Sequence, residues 1–235
     1  MITAEVAPVL CDPLPIGGTP IQARLAEAAI ELFHERGAQA TTVSDITRAC
    51  GLTPGALYNH FTSKDDLLYV VVRDIHRQAD DQLVALLAST DDEPVTQLMT
   101  AVRFLASHTA GLKKRSRVAN REFTLLTGSR REEVTTIRRQ IRDRLAAILL
   151  TGAQQGAFHL VGGDDMAAAI LTASTIATMC VRISETTLEN YPLPVAHLHD
   201  HFTELALRLA GREVSCSPLV SRLPAAVTGC GGPFP

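Results

Sequence analysis

Between Thr42 and Lys64 the sequence gathers side chains that can touch a nucleic acid: Thr42, Arg48, Thr53, Gly55, Ala56, Tyr58, Asn59, His60 and Lys64. Recognition of a duplex needs donors that grip phosphates and groups that read base edges. Thr42 and Lys64 stand at helix starts, where free backbone N–H groups present a positive end to an anion. Tyr58 offers a hydroxyl, Asn59 can hydrogen-bond a base edge, and Ala56 can meet a thymine methyl. Small residues at Gly55 and Ala56 permit close approach to a surface. Asn59 has the weakest structural reason to be there. Thr53 reads as a helix cap, and Tyr58 and His60 have packing as an alternative role. On spacing alone the segment could equally be an ordinary helical hairpin.

The elements that must position these groups are written around them. Thr42 with Asp45 makes a box-like N-cap. Thr53 followed by Pro54 is an N-cap and then the residue preferred at the first helical position. Ser63 before Asp65 and Asp66 caps a third start, and Gly51 can end the helix that begins at Thr42. A short helix, a tight turn and a second short helix from Pro54 to about His60 is the helix-turn-helix plan. Upstream, Thr19, Pro20 and Gln22 supply a cap, a first-turn proline and a box partner. The helix that follows carries Ile21, Leu25, Ala29, Leu32 and Phe33 on one face, with Gly37 closing it. The helix from Val43 to Cys50 buries Val43, Ile46 and Cys50. Downstream, Leu67, Leu68, Val71, Val72, Ile75, Ala79, Leu83 and Leu86 form a helical stripe from Lys64 past Asp80. A helix this long can serve two domains and act as a lever between them.

Beyond a break at Ser89 to Pro94 the periodicity stays helical, with helices near 94–109, 115–127, 132–155, 163–187 and 193–211. Gly111, Gly128 with Ser129, Gly156, Gly162 with Gly163, and Pro192 with Pro194 supply the breaks. No strand-like alternation persists, so the fold class is all-α. Residues 1–18 and 212–235, rich in Pro and Gly, read as flexible or disordered tails.

Composition narrows the class further. The 235 residues carry a formal net charge of −3 and no tryptophan, so bulk electrostatics do not announce a nucleic-acid partner. Between Thr19 and Lys64 the cations Arg24, Arg36, Arg48 and Lys64 are matched by Glu27, Glu31, Glu35 and Asp45. Affinity for DNA must therefore lean on oriented donors. Lysine is confined to Lys64, Lys113 and Lys114 while arginine is plentiful, which hints at a GC-rich bacterial genome. Five scattered cysteines without a C-x-x-C pair suit free thiols in a reducing cytoplasm. There is no signal-peptide pattern and no uncharged apolar stretch long enough to span a bilayer. Paired carboxylates, G-x-S-x-G, a phosphate loop and H-E-x-x-H are all missing, which argues against an enzyme, and no cofactor motif is present. In H-L-H-D-H, His197 and His201 share a helix face with His199 between them; without a third ligand the plainer reading is surface or interface histidines, not metal.

The run T-T-V-x-x-I-x-x-x-C-G-L-T-P-G-A-L-Y-N-H-F-x-S-K-x-x-L-L from Thr41 to Leu68, with A-x-x-L-F-x-x-x-G from Ala29 to Gly37, resembles the DNA-binding signature of the TetR family of transcriptional regulators. The resemblance implies an N-terminal three-helix helix-turn-helix DNA-binding domain over 19–66 and a larger helical ligand-binding and dimerisation domain over 67–211. It implies that Thr42, Tyr58, His60 and Lys64 hold phosphates, and that Arg48, Thr53, Gly55, Ala56 and Asn59 lie at or near the bases. One such head covers a short half-site, so specific binding implies a homodimer on a palindromic, double-stranded DNA operator. The last two helices are where this family places its dimer bundle, here with Met166, Ala167, Ile170, Leu171, Ser174 and Thr178.

The same resemblance implies a ligand-responsive regulator, most often a repressor, with a small apolar or acyl-type effector. Leu98, Val102, Phe104, Leu105, Phe123, Leu126, Ile148 and Met179 are candidate pocket residues, and ordinary core is the plainer reading of each. Arg117 to Phe123, the stretch Arg131 to Arg139, and G-x-x-x-G-x-F from Gly152 to Phe158 are similar to members controlling lipid or acyl-CoA metabolism. Arg115, Arg117, Arg121, Arg138 and Arg142 could meet an anionic head group or form a solvated basic face. The other readings are a helical metal-binding enzyme, or a helical interaction protein that has lost DNA binding.

Overall fold

The computed structural model describes residues 15–184 and 195–212; the expectations for the two tails beyond those limits, and for 185–194, lie outside the described residues. These residues form α1 (Pro20–Arg36), α2 (Val43–Ala49), α3 (Pro54–Tyr58), α4 (Lys64–Ala88), α5 (Pro94–Gly111), α6 (Lys113–Glu122), α7 (Gly128–Gln154), α8 (Met166–Arg182) and α9 (Val195–Leu209). A short 3₁₀ turn, Phe123–Leu125, follows α6. The fold is all-helical, with a helix-turn-helix followed by a larger helical domain.

The starts follow the capping chemistry. Thr19 Oγ1 accepts from the Gln22 N–H at 3.2 Å, and Ser63 Oγ accepts from the Asp66 N–H at 3.0 Å. Thr42 and Asp45 complete a reciprocal capping box. Other local expectations are displaced. Gln22 Oε1 accepts from the Gly18 N–H, one residue before the cap it was expected to reach. Thr53 occupies the cap position of α3, but its side chain makes no capping hydrogen bond. Gly128 turns the chain with φ 55° and α7 begins there, earlier than 132. Phe123 tightens into the 3₁₀ turn, so α6 ends before 127.

Two apolar clusters organise the packing. One joins Leu25, Ile30, Phe33, Ile46, Leu57 and Phe61 to Leu67, Val71 and Ile75 of α4, and it also takes in Val118 and Ala119 of α6 and Val134 of α7. The other joins Leu83 of α4 to Leu98, Val102 and Phe104 of α5, Leu145 and Leu149 of α7, Ala173 and Ile176 of α8, and Ala206 of α9. The long helix α4 therefore belongs to both. Between its two apolar ends sits buried Asp80, gripped by Arg144 of α7 at 2.9 and 3.1 Å, a bidentate pairing that suits the guanidinium fork.

Within the segment 1–18, expected to be loose, the described end is tied down. Ile16 is fully buried, the Gly17 N–H donates to Asp74 at 3.2 Å, and the Pro15 carbonyl accepts from Gln78 at 3.1 Å. The lone apolar side chain gives no periodicity to read, yet it fills a gap beside α4. The G-x-x-x-G-x-F stretch also has a packing explanation. A Cβ on Gly152 would lie 2.2 Å from the Phe158 ring, and Phe158 is fully buried. Gly152→Ala should therefore lower unfolding free energy by about 1–3 kcal/mol, as overpacked cores do. A fall in the urea midpoint at unchanged slope is the measurement that checks this.

Candidate nucleic-acid interface and the cavity behind it

The groups picked out between Thr42 and Lys64 lie on one end of the molecule, on α2, α3 and the start of α4. Leu57 is the buried anchor of α3. Around it Thr53, Gly55, Tyr58 and Asn59 are exposed, with Tyr58 at 58%. Ala56 and His60 are half-buried. A Cβ added at Gly55 would meet nothing within 4 Å, so internal packing does not demand a glycine there. On α2, Arg48 reaches into solvent with its side chain 76% exposed, 3.8 Å from Asp45.

Several polar groups here are committed to holding the head together. Lys64 Nζ donates to the carbonyls of Ala38 at 2.7 Å and Thr41 at 2.8 Å, clasping the turn between α1 and α2. Arg24 donates to the Cys50 carbonyl at 2.8 Å and so closes the C-terminal end of α2. Asp45 accepts from the Thr42 hydroxyl at 2.7 Å and backbone N–H at 3.0 Å, and pairs with Arg36 at 2.9 Å. The Thr42 hydrogen bonds, above all, hold the Asp45 carboxyl below its usual pKa. The charge of Asp45 thus offsets part of the positive end of α2.

Behind the head, α4, α5, α6, α7 and α8 line a cavity of about 100 Å³. Of the eight residues expected to line a pocket, Leu105 lines this cavity and Leu126 lines another, beside Lys64 and Arg130. Leu98, Val102, Phe104 and Ile148 are core of the larger cluster, Met179 packs against it, and Leu126 and Phe123 belong with the other cluster. The most regular apolar positions are the ones that interlock, so periodicity marks core and not cavity. The wall carries His76 on α4, His108 on α5, Ser116 and Asn120 on α6 and Arg138 on α7. Their available signal was a histidine interrupting each apolar stripe, beside Ile75 and three residues after Leu105.

The wall histidines are held neutral. Burial, with Arg138 and His108 nearby, pushes the His76 pKa from 6.5 to about 3. Burial and Arg115 push that of His108 to about 4. Of the arginines named as possible anion contacts, Arg115 pairs with Glu27, Arg121 with Glu122 and Arg142 with Asp143. Arg117 is half-buried, beside His34. Only Arg138 of the five lines the cavity.

The cavity wall and the head share helices. On α6, Ala119 lines the cavity and is also part of the head's apolar cluster. From the same helix Lys114 pairs with Glu31 of α1 at 2.5 Å, and Arg121 donates to the Phe33 carbonyl. From α7, Arg130 pairs with Asp66 at 2.6 Å.

On α8, Met166 and Leu171 stand out at 52% and 68% exposure. Ala167 and Thr178 are exposed, and Ile170 and Ser174 half-buried. His199 bonds Ser107 of α5 and His201 packs edge-on to Phe202. Among the described residues no three His, Cys, Asp or Glu side chains are placed to share a metal ion, and no helix is long and apolar enough to cross a membrane.

Comparison with known proteins converges on one group. Residues 25–71 match the family described as bacterial regulatory proteins, tetR family, and residues 91–209 match the tetracyclin repressor-like C-terminal domain. The HTH-type transcriptional repressor KstR2 of Rhodococcus jostii is 32% identical over 143 residues, 57% of this chain and 66% of that protein. The chain thus covers slightly less than two thirds of that relative's length. A crystal structure of a tetR-family bacterial regulatory protein from Rhodococcus RHA1 superposes with a TM-score of 0.76 at 26% identity, covering 84% of this chain and 100% of that one. AibR, solved in complex with isovaleryl coenzyme A and operator DNA, gives a TM-score of 0.71 at 21% identity over 79% of this chain and 97% of its own.

Two outcomes follow from the geometry. Lys64→Met should lower stability in the absence of any DNA by about 1–3 kcal/mol, because two carbonyls lose a charged donor; an unchanged melting temperature would show that the clasp contributes nothing. In the unfolded chain the two wall histidines titrate near 6.5, but in the folded chain only near 3 and 4. Between those values the unfolded state binds more protons, so this stability is fully present above pH 6.5 and is lost as pH falls below it. The loss should reach about 2 kcal/mol per histidine at pH 5. Denaturation at pH 7 and 5 should show it, and His76→Gln should shrink the difference.

Proposed function

Because this chain belongs to the TetR family of bacterial regulatory proteins, a family of transcriptional regulators and not of enzymes, we propose that it is a repressor that binds a palindromic operator as a homodimer and responds to a small acyl-type effector. The observation that carries the DNA reading is the exposed α3 surface. Gly55, Tyr58 and Asn59 face solvent around one buried anchor, with Arg48 beside them. Tyr58, His60, Thr42 and Lys64 are assigned to phosphates. Arg48, Thr53, Gly55, Ala56 and Asn59 are assigned to the bases or their immediate surroundings. Lys64 clasps its turn with two N–H groups and keeps a third for a phosphate.

The homodimer reading draws on α8, where Met166, Ala167, Leu171 and Thr178 remain uncovered in a single chain. Two heads then sit about one helical turn of DNA apart, about 34 Å, or a multiple of it. The acyl-type effector draws on the likeness to a KstR2 repressor and to AibR with its isovaleryl coenzyme A. A ligand in the cavity touches α4 and α6, both of which carry the head. It shifts DNA affinity to the extent that it prefers one arrangement of those helices over another.

Gel shifts against the DNA upstream of the chain's own gene provide the test, with random duplex as the reference. Asn59→Ala should reduce preference for the specific site by about 1–3 kcal/mol, and Lys64→Ala should weaken both DNAs and flatten the salt slope. Equal losses on both DNAs for Asn59→Ala would overturn the base-reading assignment. Failure of the wild-type protein to bind any sequence would overturn the regulator reading.

A further inference from the structure

We propose that the cavity behind the head takes an organic monocarboxylate, its carboxylate held by the Arg138 guanidinium and its apolar body lying among Ile75, Leu105 and Ile141. The proposal rests on the reading of this cavity as the effector site, and it names the chemistry of the group recognised there.

Three observations carry it. First, Arg138 has no ion pair among the described residues; its guanidinium lies 4.6 Å from the Phe123 ring centre, and burial alone depresses its pKa. A cation drawn out of water without an anion is costly unless something else compensates it, and no Asp or Glu stands among the described lining residues. Second, two ring nitrogens on the same wall have no partner among the described residues: His76 Nε2, and Nδ1 of His108, which is only 6% exposed. Buried polar groups in folded proteins are nearly always hydrogen-bonded, so vacant nitrogens around a cavity point to a ligand atom. A neutral imidazole can present its N–H on either nitrogen, and a carboxylate accepts from several donors at once. Third, most of the remaining wall is apolar, Ala79, Ala177 and Val181 included, with Thr109, Ser116 and Asn120 as its neutral polar side chains.

The charge count selects among anions. One guanidinium and two neutral imidazoles balance a single negative charge and would leave a phosphate dianion under-compensated. A carboxylate also matches the guanidinium fork with two parallel hydrogen bonds. The phosphates of a coenzyme A ester could supply an anion too, but a nucleotide diphosphate is too highly charged for this wall. Such an ester would offer the cavity only its neutral acyl end.

The test is thermal melting and calorimetric titration of the full chain with straight-chain carboxylates from butanoate to decanoate, set against methyl octanoate, octanol and octanoyl-coenzyme A. At least one carboxylate should bind and raise the melting temperature. The methyl ester and alcohol of the same length should bind at least tenfold more weakly, and Arg138→Gln should remove that preference. Arg138→Lys, which keeps the charge but not the fork, should bind with intermediate affinity. Should Arg138→Gln fail to fold, the acid-against-ester comparison on the wild-type protein decides alone. Equal binding of acid and ester, binding unaffected by Arg138→Gln, or no binding by any carboxylate would each overturn the proposal. Octanoyl-coenzyme A binding that ignores Arg138 and releases DNA would overturn the carboxylate and leave the effector reading standing. Carboxylate binding that depends on Arg138 but never alters DNA affinity would keep the site and remove its regulatory role.

Discussion

A head that adds only two short helices to α1 has too little apolar surface to close a core by itself, and that shortage shapes the whole molecule. Only Ile46 and Leu57 are fully buried apolar side chains of α2 and α3. Small domains bury a low fraction of their chain surface and are marginal unless they borrow a partner. Here the borrowed surface comes from α4, and further from Val118, Ala119 and Val134 of α6 and α7. The head is thereby fused to the larger helical body. The helices that lend the reading head its missing apolar surface therefore also wall the cavity. Close-packed interiors do not deform continuously, so a change at the cavity reaches the head as a rearrangement of packed helices.

A second consequence concerns charge. Many ionic groups near the head are engaged by partners within the protein. Arg36 and Thr42 engage Asp45, Arg24 caps α2, Lys64 clasps the turn, and Lys114, Arg115 and Arg130 reach across to Glu31, Glu27 and Asp66. Exposed pairs of this kind are each worth little. Their distribution counts for more, because they tie α6 and α7 to the head along both α1 and the start of α4. The surface left for a polyanion consists mainly of Arg48, the Tyr58 hydroxyl, Asn59 and backbone donors. A reading head of this kind depends on geometry more than on field strength, which makes the rigidity supplied from behind a condition of recognition.

The fold was legible where local chemistry is strong. Thr19, Thr42 and Ser63 cap as their types and spacing dictate, and the α4 stripe from Leu67 to Leu83 is buried as the period requires. Legibility failed where a contact depends on a distant segment. Ile16 gave no period to follow, yet it is fully buried because Asp74 and Gln78 happen to lie opposite. Gly152 looked like part of a motif, and its reason is the ring of Phe158. Most of the candidate pocket residues are core, the plainer of their two readings, for a related reason. Leu98, Val102 and Phe104 satisfy the helical period best and therefore interlock in the core, while the cavity forms where His76, His108 and Arg138 interrupt it.

Those interruptions carry a stability cost that packing alone does not offset. Replacing His76, His108 and Arg138 by apolar residues of similar volume would remove the desolvation that depresses all three pKa values, and buried charged or polar groups are often replaceable in this way without loss of fold. A chain that needed only a core at this point would be better served by leucine. The polar wall therefore makes physical sense as a site prepared for an occupant. Because α4 and α6 carry that wall as well as part of the head's cluster, an occupant of the kind proposed would bear on the two helices against which the reading head is packed.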